Sequence, residues 1–265
     1  MKKINWVVGS PIAHSMSPIL HNALYQQLGV DAVMQAKEYV DAAKLIADIR
    51  RESIGLTAVT MPLKNQVEEH LDELSGAAKK LGLVNTIINQ NNRLIGYNTD
   101  LDGIEYSFKN TYLDNKKILI LGAGSVAKIV GYYFQSKTQS IYWLNRTKEK
   151  SNSLAKLYGG IVIEAENIRP DVIVNTTALG MLSCPGMPVN SDWIVKNQTV
   201  FDVVYNPLET ELLKEAYKKG AACISGLDMF VVQALRQIEI WQDKKIISDE
   251  VIKVAKEIVK RGIEK

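Results

Sequence analysis

Apolar residues along this chain fall into two alternating patterns. Short unbroken runs read as buried strands, and runs with apolar residues at every third or fourth position read as helices packed on one side. Ile4 to Val8 is the first strand, ending at Gly9-Ser10-Pro11. Leu20, Ala23, Leu24 and Leu28 then form the stripe of a helix that Gly29 ends. A strand from Val33 to Tyr39, a helix with Leu45, Ile46 and Ile49 on one side, and a strand from Gly55 to Thr60 follow. Helical stretches near Gln66 to Leu71 and Ala77 to Leu81 lead to two short strands separated by the polar turn Asn89 to Arg93. Further on, strands are expected at Ser140 to Leu144, Ile161 to Ile163, Asp171 to Asn175, from Phe201, and at Ala222 to Ile224. A helix from Glu209 to Lys219, one opening at Gly226, and a last one from Ser248 to Arg261 complete an α/β fold.

The block around Lys117 changes period most sharply. Ile118 to Leu121 is an unbroken apolar run, the pattern of a parallel strand buried on both faces. It stops at Gly122-Ala123-Gly124, and Val126, Ile129, Val130 and Phe134 continue at helical spacing. Strand, glycine turn and helix open a dinucleotide-binding unit: Gly122 permits the tight turn, Gly124 lets a pyrophosphate approach the backbone, and Ala127 is small enough for helix to lie on strand. The phosphates would meet helix N–H groups and the positive end of the helix dipole.

About twenty residues further on, an NAD site places an acid against the ribose 2′-hydroxyl. Here the second strand ends in Asn145-Arg146-Thr147-Lys148-Glu149-Lys150. Read alone, that is a basic helix start in water. At this distance from a glycine turn, Arg146 suits a 2′-phosphate, because its planar fork pairs with phosphate oxygens and stacks on adenine. The expected cofactor is NADP(H).

Composition narrows the class. The chain has 265 residues, 46% hydrophobic and 23% charged, as expected of a soluble globular protein of one large or two ordinary domains. A net charge of +3, evenly spread, argues against nucleic-acid binding. No apolar run reaches membrane-spanning length, and Met1-Lys-Lys-Ile-Asn runs into a strand without a signal-peptide h-region. Cys184 and Cys223 lack metal-binding spacing and read as reduced thiols in the cytoplasm, with no metal expected.

Candidate chemistry gathers at strand ends, where open α/β sheets keep ligands. Pro18 fits the first turn of a helix and Ser17 its N-cap. Ser15 has no such structural use, and two hydroxyls beside helix N–H groups would cradle a carboxylate. His14 and His21 read as structural. Lys64, just past Met61-Pro62, reads by itself as a solvated surface lysine, and Asp100 as a helix cap. Gln233 lies in an apolar stretch, either as a satisfied core amide or as a ligand contact.

Taken in order, nine stretches resemble the shikimate dehydrogenase family over nearly the whole chain: Gly9-Ser-Pro-Ile-Ala-His-Ser-Met-Ser-Pro18, Val59-Thr-Met-Pro-Leu-Lys64, Gly82-Leu-Val-Asn-Thr86, Gly96-Tyr-Asn-Thr-Asp100, Gly122-Ala-Gly124, Asn145-Arg-Thr147, Asn175-Thr-Thr-Ala-Leu-Gly-Met181, Asp202-Val-Val-Tyr205 and Gly226-Leu-Asp-Met-Phe-Val-Val-Gln233. The resemblance implies a substrate domain built from residues 1–101 and 226–265, an inserted Rossmann-type NADP-binding domain at 102–225, and a cleft between them. It implies NADPH-dependent reduction of 3-dehydroshikimate, with Lys64 and Asp100 as the catalytic pair. Lys64 would stabilise and protonate the developing alkoxide, and Asp100 would chiefly orient it. Ser15 and Ser17 would hold the substrate carboxylate; Thr60, Asn85, Tyr205 and Gln233 would hold the ring and its hydroxyls. Gly122, Ala123, Gly124, Ser125, Val126, Asn145, Arg146, Thr147, Lys150, Val203 and Gly226 would hold the cofactor. The implied partner is a small molecule, with neither nucleic acid nor membrane, in a monomer or homodimer. Ala58, Leu83, Ser125-Val126 and Gly76 depart from the family pattern; the pair at 125–126 is expected to narrow the phosphate turn. A quinate or aminoshikimate dehydrogenase, or a non-catalytic NADP-binding regulator, would share this framework.

Overall fold

Buried strands need partners on both edges, and among the described residues they find them in two separate six-stranded sheets. The computed structural model describes residues 2–164 and 168–264. The described chain divides into two units, Met1–Asp102 with Val231–Lys265, and Gly103–Phe230.

The first unit contains β1 (Lys3–Gly9), α1 (Ser17–Gln27), β2 (Ala32–Glu38), α2 (Ala42–Arg51), β3 (Leu56–Val59), β4 (Glu73–Leu74), α3 (Gly76–Leu81), β5 (Thr86–Gln90) and β6 (Arg93–Tyr97). Its sheet runs β2-β1-β3-β5-β6-β4. β1 pairs in parallel with β2 and β3, β5 is antiparallel to β3 and β6, and β4 runs parallel to β6. The β5–β6 turn places Asn91 and Asn92 at φ of 53° and 70°, the left-handed geometry that a tight hairpin requires and asparagine tolerates. Trp6, Val8, Leu45, Ile49, Val59 and Leu94 share the core on one face. The stretch read as helical near Gln66 to Leu71 is instead irregular: single 3-10 turns form at Leu63–Asn65 and Glu68–His70, and the buried Leu63 and Val67 pin them to the core.

Two helices cross between units: α4 (Asp100–Ser107) begins in the first and ends in the second. The second unit continues with β7 (Ile118–Leu121), α5 (Ser125–Phe134), β8 (Ile141–Leu144), α6 (Lys148–Tyr158), β9 (Ile161–Val162), β10 (Val172–Asn175), β11 (Thr199–Asp202), α7 (Glu211–Lys218) and β12 (Ala222–Ser225). Then α8 (Gly226–Gln242) returns the chain to the first unit, and α9 (Asp249–Ile263) packs there against α1. The return therefore falls inside α8, after Phe230.

In the second sheet, β12-β11-β10-β7-β8-β9, every pair is parallel. All of β7 is buried, and Phe108 packs edge-on to Phe134 and Phe201 at 5.1 and 5.2 Å. On the other face lie Leu119, Leu121, Trp193, Ile194 and Leu212. Later strands lie on one side of β7 from β10 outward, and on the other from β8 outward. Strand order thus reverses at β7, so the glycine turn after Leu121 sits at a topological switch point, where such sheets bind ligands. Among the described residues, no helix is long and apolar enough to cross a membrane.

Close approach of α5 to the sheet depends on Gly131. A Cβ there would lie 2.5 Å from the Trp143 ring and 2.9 Å from Tyr158. Both rings are buried, and the Trp143 indole donates to the Gly159 carbonyl, so neither can move aside cheaply. Gly131→Ala should lower stability by about 1–3 kcal/mol, despite the gain in helix propensity. Thermal denaturation measures this, and an unchanged or raised Tm would contradict the packing.

Candidate active site

Lys64, Asn85 and Asp100 meet because three strands are in register. Ala58 of β3 stands opposite Thr86 of β5, and Thr86 opposite Tyr97 of β6. The segments leaving β3, entering β5 and leaving β6 therefore gather at one end of the sheet. The 3-10 turn after β3 carries Lys64, whose carbonyl accepts from the Val84 N–H at 2.8 Å. Asp100 is the first residue of α4, where the helix dipole favours a carboxylate.

Lys64 Nζ donates to Asp100 Oδ2 at 2.6 Å, with the side chains 12% and 7% exposed. The lysine is thus neither solvated nor isolated. Asp100 Oδ1 accepts from Asn85 Nδ2 at 2.9 Å. Because the Thr99 backbone N–H can only donate, its 2.8 Å contact identifies the acceptor as Asn85 Oδ1 and aims the amide nitrogen at Asp100. The Thr86 hydroxyl donates to the same Oδ1 at 2.8 Å. Gln233 Oε1 reaches Asn85 Nδ2 at 3.5 Å, the outer limit of a hydrogen bond. The pair is therefore largely desolvated, with both carboxylate oxygens bonded, and removal of either partner would strand the other charge.

One expectation at the start of α1 is reversed. Ser17 lies inside the first turn, with Met16 at the cap position and no side-chain capping bond. Ser15 Oγ instead accepts from the Ser17 N–H at 3.3 Å. The hydroxyls of Ser17, which is buried, and Thr60, half-buried at the end of β3, have no hydrogen-bond partner among the described residues. His14 is exposed; His21 is buried and bonded. Thr86, Thr99 and Gln237 lie beside the site and were passed over by sequence reasoning, which read the neighbouring His21 as structural. Their available signal was spacing, since His21 follows Ser17, and Gln237 follows Gln233, by one helical turn. A concavity of about 590 Å³ in this unit, bounded by Lys3, Asn89, Tyr97, Arg236, Trp241 and Lys244 among others, holds none of the candidate residues.

The second unit presents a different chemistry. Gly122 has φ +103°, and a Cβ there would lie 2.7 Å from Thr176 Oγ1. Gly124 caps α5 without a side-chain acceptor, and a Cβ there would meet nothing within 4 Å. Open space thus faces a helix N-terminus whose first N–H groups lack intrahelical partners. Ala123, Ser125 and Val126 are half-buried around this turn, so Val126 does not join the buried stripe of Ala127, Ile129, Val130 and Phe134. At the end of β8, Arg146, Thr147 and Lys150 are exposed, and Asn145 Nδ2 donates to the Thr147 carbonyl at 2.9 Å. Among the described residues, Arg146 and Lys150 have no ion-pair partner, whereas Lys148 pairs with Glu164. An anion-ready helix start and an unpaired guanidinium fit a phosphorylated dinucleotide.

Behind the turn, burial raises the Asp202 carboxyl above the usual range, offset by bonds from Thr210 Oγ1 (2.6 Å), the Val204 N–H (3.1 Å) and Asn175 Nδ2 (2.9 Å). These bonds fix the ends of β10 and β11. Next to them, Gly226 is required by packing, because a Cβ there would lie 2.2 Å from the Val203 carbonyl oxygen. The Tyr205 ring stacks on Phe230, with centroids 4.2 Å apart.

Comparison with known proteins follows the same division. Residues 7–87 match the family model described as shikimate dehydrogenase substrate binding domain, and residues 105–177 the model described as shikimate / quinate 5-dehydrogenase. An NADP(+) shikimate dehydrogenase of Pyrococcus abyssi is 38% identical over 244 residues, covering 90% of this chain and 92% of the relative. One from Pelagibacter ubique is 38% identical over 248 residues, covering 91% and 94%. Among solved structures, a shikimate dehydrogenase in complex with NADP+ superposes with a TM-score of 0.91 at 30% identity, covering 100% of this chain and 96% of that one. The Thermus thermophilus enzyme in complex with NADP(H) and shikimate gives a TM-score of 0.88 at 28% identity, covering 98% and 99%.

Burial lowers the His21 pKa to about 4, outweighing its contacts with Ser17 and Gln237. Unfolded, the ring titrates near ~6.5, so between these values the unfolded state binds the extra proton. Stability should therefore fall as pH drops from about 6.5 toward 4, with His21 contributing up to about 1.4 kcal/mol per pH unit. Denaturant titrations of wild type and His21→Gln would measure it: the mutant should show a shallower slope in that window, and identical slopes would contradict the assignment.

Proposed function

The chain belongs to the shikimate dehydrogenase family, and on that premise we propose that it reduces 3-dehydroshikimate reversibly to shikimate with NADPH, using Lys64 and Asp100 as the catalytic pair. The observation that carries the role of these two residues is their desolvated ion pair, oriented by Asn85, with Lys64 and Asn85 inside the segment matching the substrate-binding family model. When bound, NADP(H) supplies the hydride in one direction and accepts it in the other.

The protein's own part is to manage one proton and several negative charges. Reduction of a ketone leaves an alkoxide that must be protonated. The Lys64 ammonium stabilises that charge as it develops and then gives up a proton to the oxygen. Asp100, held by Asn85, keeps the ammonium aimed. Ser15 and Ser17 take the substrate carboxylate through their hydroxyls, since Ser15 Oγ only accepts from the Ser17 N–H and keeps its own O–H to donate. Thr60, Asn85, Tyr205 and Gln233 take the ring and its hydroxyls. Gly122, Ala123, Gly124, Ser125 and Val126 take the pyrophosphate; Asn145, Arg146, Thr147 and Lys150 take the 2′-phosphate end; Val203 and Gly226 take the nicotinamide end. We assign the substrate role to residues 1–101 and 226–265 and the cofactor role to 102–225. The free thiols of Cys184 and Cys223 accord with a cytoplasmic enzyme, in our reading a monomer or homodimer acting on small molecules.

Lys64→Met should bind shikimate and NADP nearly as wild type but lose turnover by about 10²–10⁴-fold or more. Wild-type turnover in that variant would end the catalytic assignment. Arg146→Ala should weaken NADP binding about ten- to a hundredfold, the value of a charge-assisted contact, and leave NAD binding almost unchanged. Equal losses for both cofactors would show that Arg146 supports the fold instead. Ser17→Ala should raise the KM for shikimate with little change in kcat, since a remote carboxylate is held alike in ground and transition states. A drop in kcat at constant KM would contradict that placement.

A further inference from the structure

Ser17 and Asn85 lie far apart in the sequence, yet a continuous path of buried polar groups joins them. His21 Nδ1 lies 2.9 Å from the Ser17 carbonyl oxygen, which only accepts, so Nδ1 carries the proton and donates. Across the ring, His21 Nε2 lies 3.2 Å from Gln237 Oε1. Gln237, on α8, donates through Nε2 to Thr86 Oγ1 at 2.9 Å and to the Asn85 carbonyl at 3.3 Å. The Thr86 hydroxyl passes the link to Asn85 Oδ1, and Asn85 Nδ2 holds Asp100.

The Gln237 carboxamide has only one orientation that suits the Asn85 side. Turned over, its oxygen would face the Asn85 carbonyl oxygen, acceptor against acceptor. As it stands, its oxygen faces the His21 nitrogen that carries no proton in a neutral ring, and burial keeps this ring neutral at pH 7. Gln237 thus keeps two bonds toward Asn85 and leaves a mismatched contact toward His21. Its neighbours on α8 include the buried Val232, Ala234, Leu235 and Ile238. Packing alone would be met there by an apolar side chain.

We propose that Gln237 is a positioning residue for the reaction, holding Asn85 through its carbonyl and through Thr86, so that the Asn85 amide keeps Asp100 against Lys64. The proposal rests on the roles given above to Lys64 and Asp100, and it adds two residues, Gln237 and Thr86, that need not touch substrate. Misplacement of a reacting group by a fraction of a bond length is enough to reduce turnover strongly.

Gln237→Met keeps the length and helical preference of the side chain and removes both bonds, to Thr86 and to the Asn85 carbonyl. Thr86→Val keeps the strand preference and removes only the path through the Thr86 hydroxyl. Steady-state shikimate oxidation, measured well below each Tm, separates the cases. In Gln237→Met, kcat should fall about ten- to a hundredfold, while the KM for NADP stays within about twofold. In Thr86→Val, kcat should fall by a smaller factor, because the Gln237 bond to the Asn85 carbonyl persists. If Gln237→Met lowers only Tm and leaves kcat and the shikimate KM within about twofold of wild type, the residue is structural and the proposal is wrong. Should Gln237→Met not fold, unchanged turnover in Thr86→Val overturns the proposal. Lys64→Met, run alongside, distinguishes the failures: normal turnover there removes the underlying site, whereas its loss beside wild-type kinetics in both new variants removes this inference alone.

Discussion

An ammonium and a carboxylate held together out of water are the constraint on which the first unit depends. Either charge alone would be costly in so desolvated a place, and their mutual attraction offsets the cost only when geometry is good and remaining lone pairs are satisfied. Lys64 and Asp100 meet that condition at 2.6 Å, with Asn85 taking the second carboxylate oxygen. Asn85 in turn is fixed by a backbone donor from Thr99 and a hydroxyl from Thr86. The sheet must therefore hold β3, β5 and β6 in one register, since a shift by one residue would send alternate side chains to the opposite face. Core packing and polar chemistry are the same requirement here: Val59, Leu63, Val84 and Ile87 bury the segments that carry the charged groups.

In the second unit the corresponding constraint is backbone geometry. Gly122 and Gly124 leave room where strand order reverses, and the positive end of α5 supplies electrostatics without any charged side chain. Charge selection is left to the exposed end of β8, where Arg146 has no carboxylate to neutralise it among the described residues. One unit thus manages a proton, and the other is built to receive phosphates. Family membership joins these two chemistries in one reaction.

Features with a local cause were legible in the sequence. The glycine turn, the arginine in place of an acid at the end of β8, the Asn-rich hairpin and the apolar run of β7 each follow from a few adjacent residues. The placement of Ser17 was misread, because Met16 can hold the cap position backbone without a capping side chain, and Ser15 supplies the nearby acceptor. Lys64 looked solvated because nothing near it in sequence announces Asp100, 36 positions away. The His21–Gln237 contact spans 216 positions, beyond the reach of any periodicity, and α8 hides the unit boundary because a continuous helix carries no break to read.

The most direct measurement is the absorbance change of NADPH when the purified chain is mixed with shikimate and NADP, with quinate, aminoshikimate and NAD as parallel substitutions. Rapid NADPH formation from shikimate with NADP, much slower with NAD or with the other two acids, is the result predicted. Binding of NADP and shikimate without any NADPH formation would contradict a catalytic role and leave a dinucleotide-binding regulator in its place.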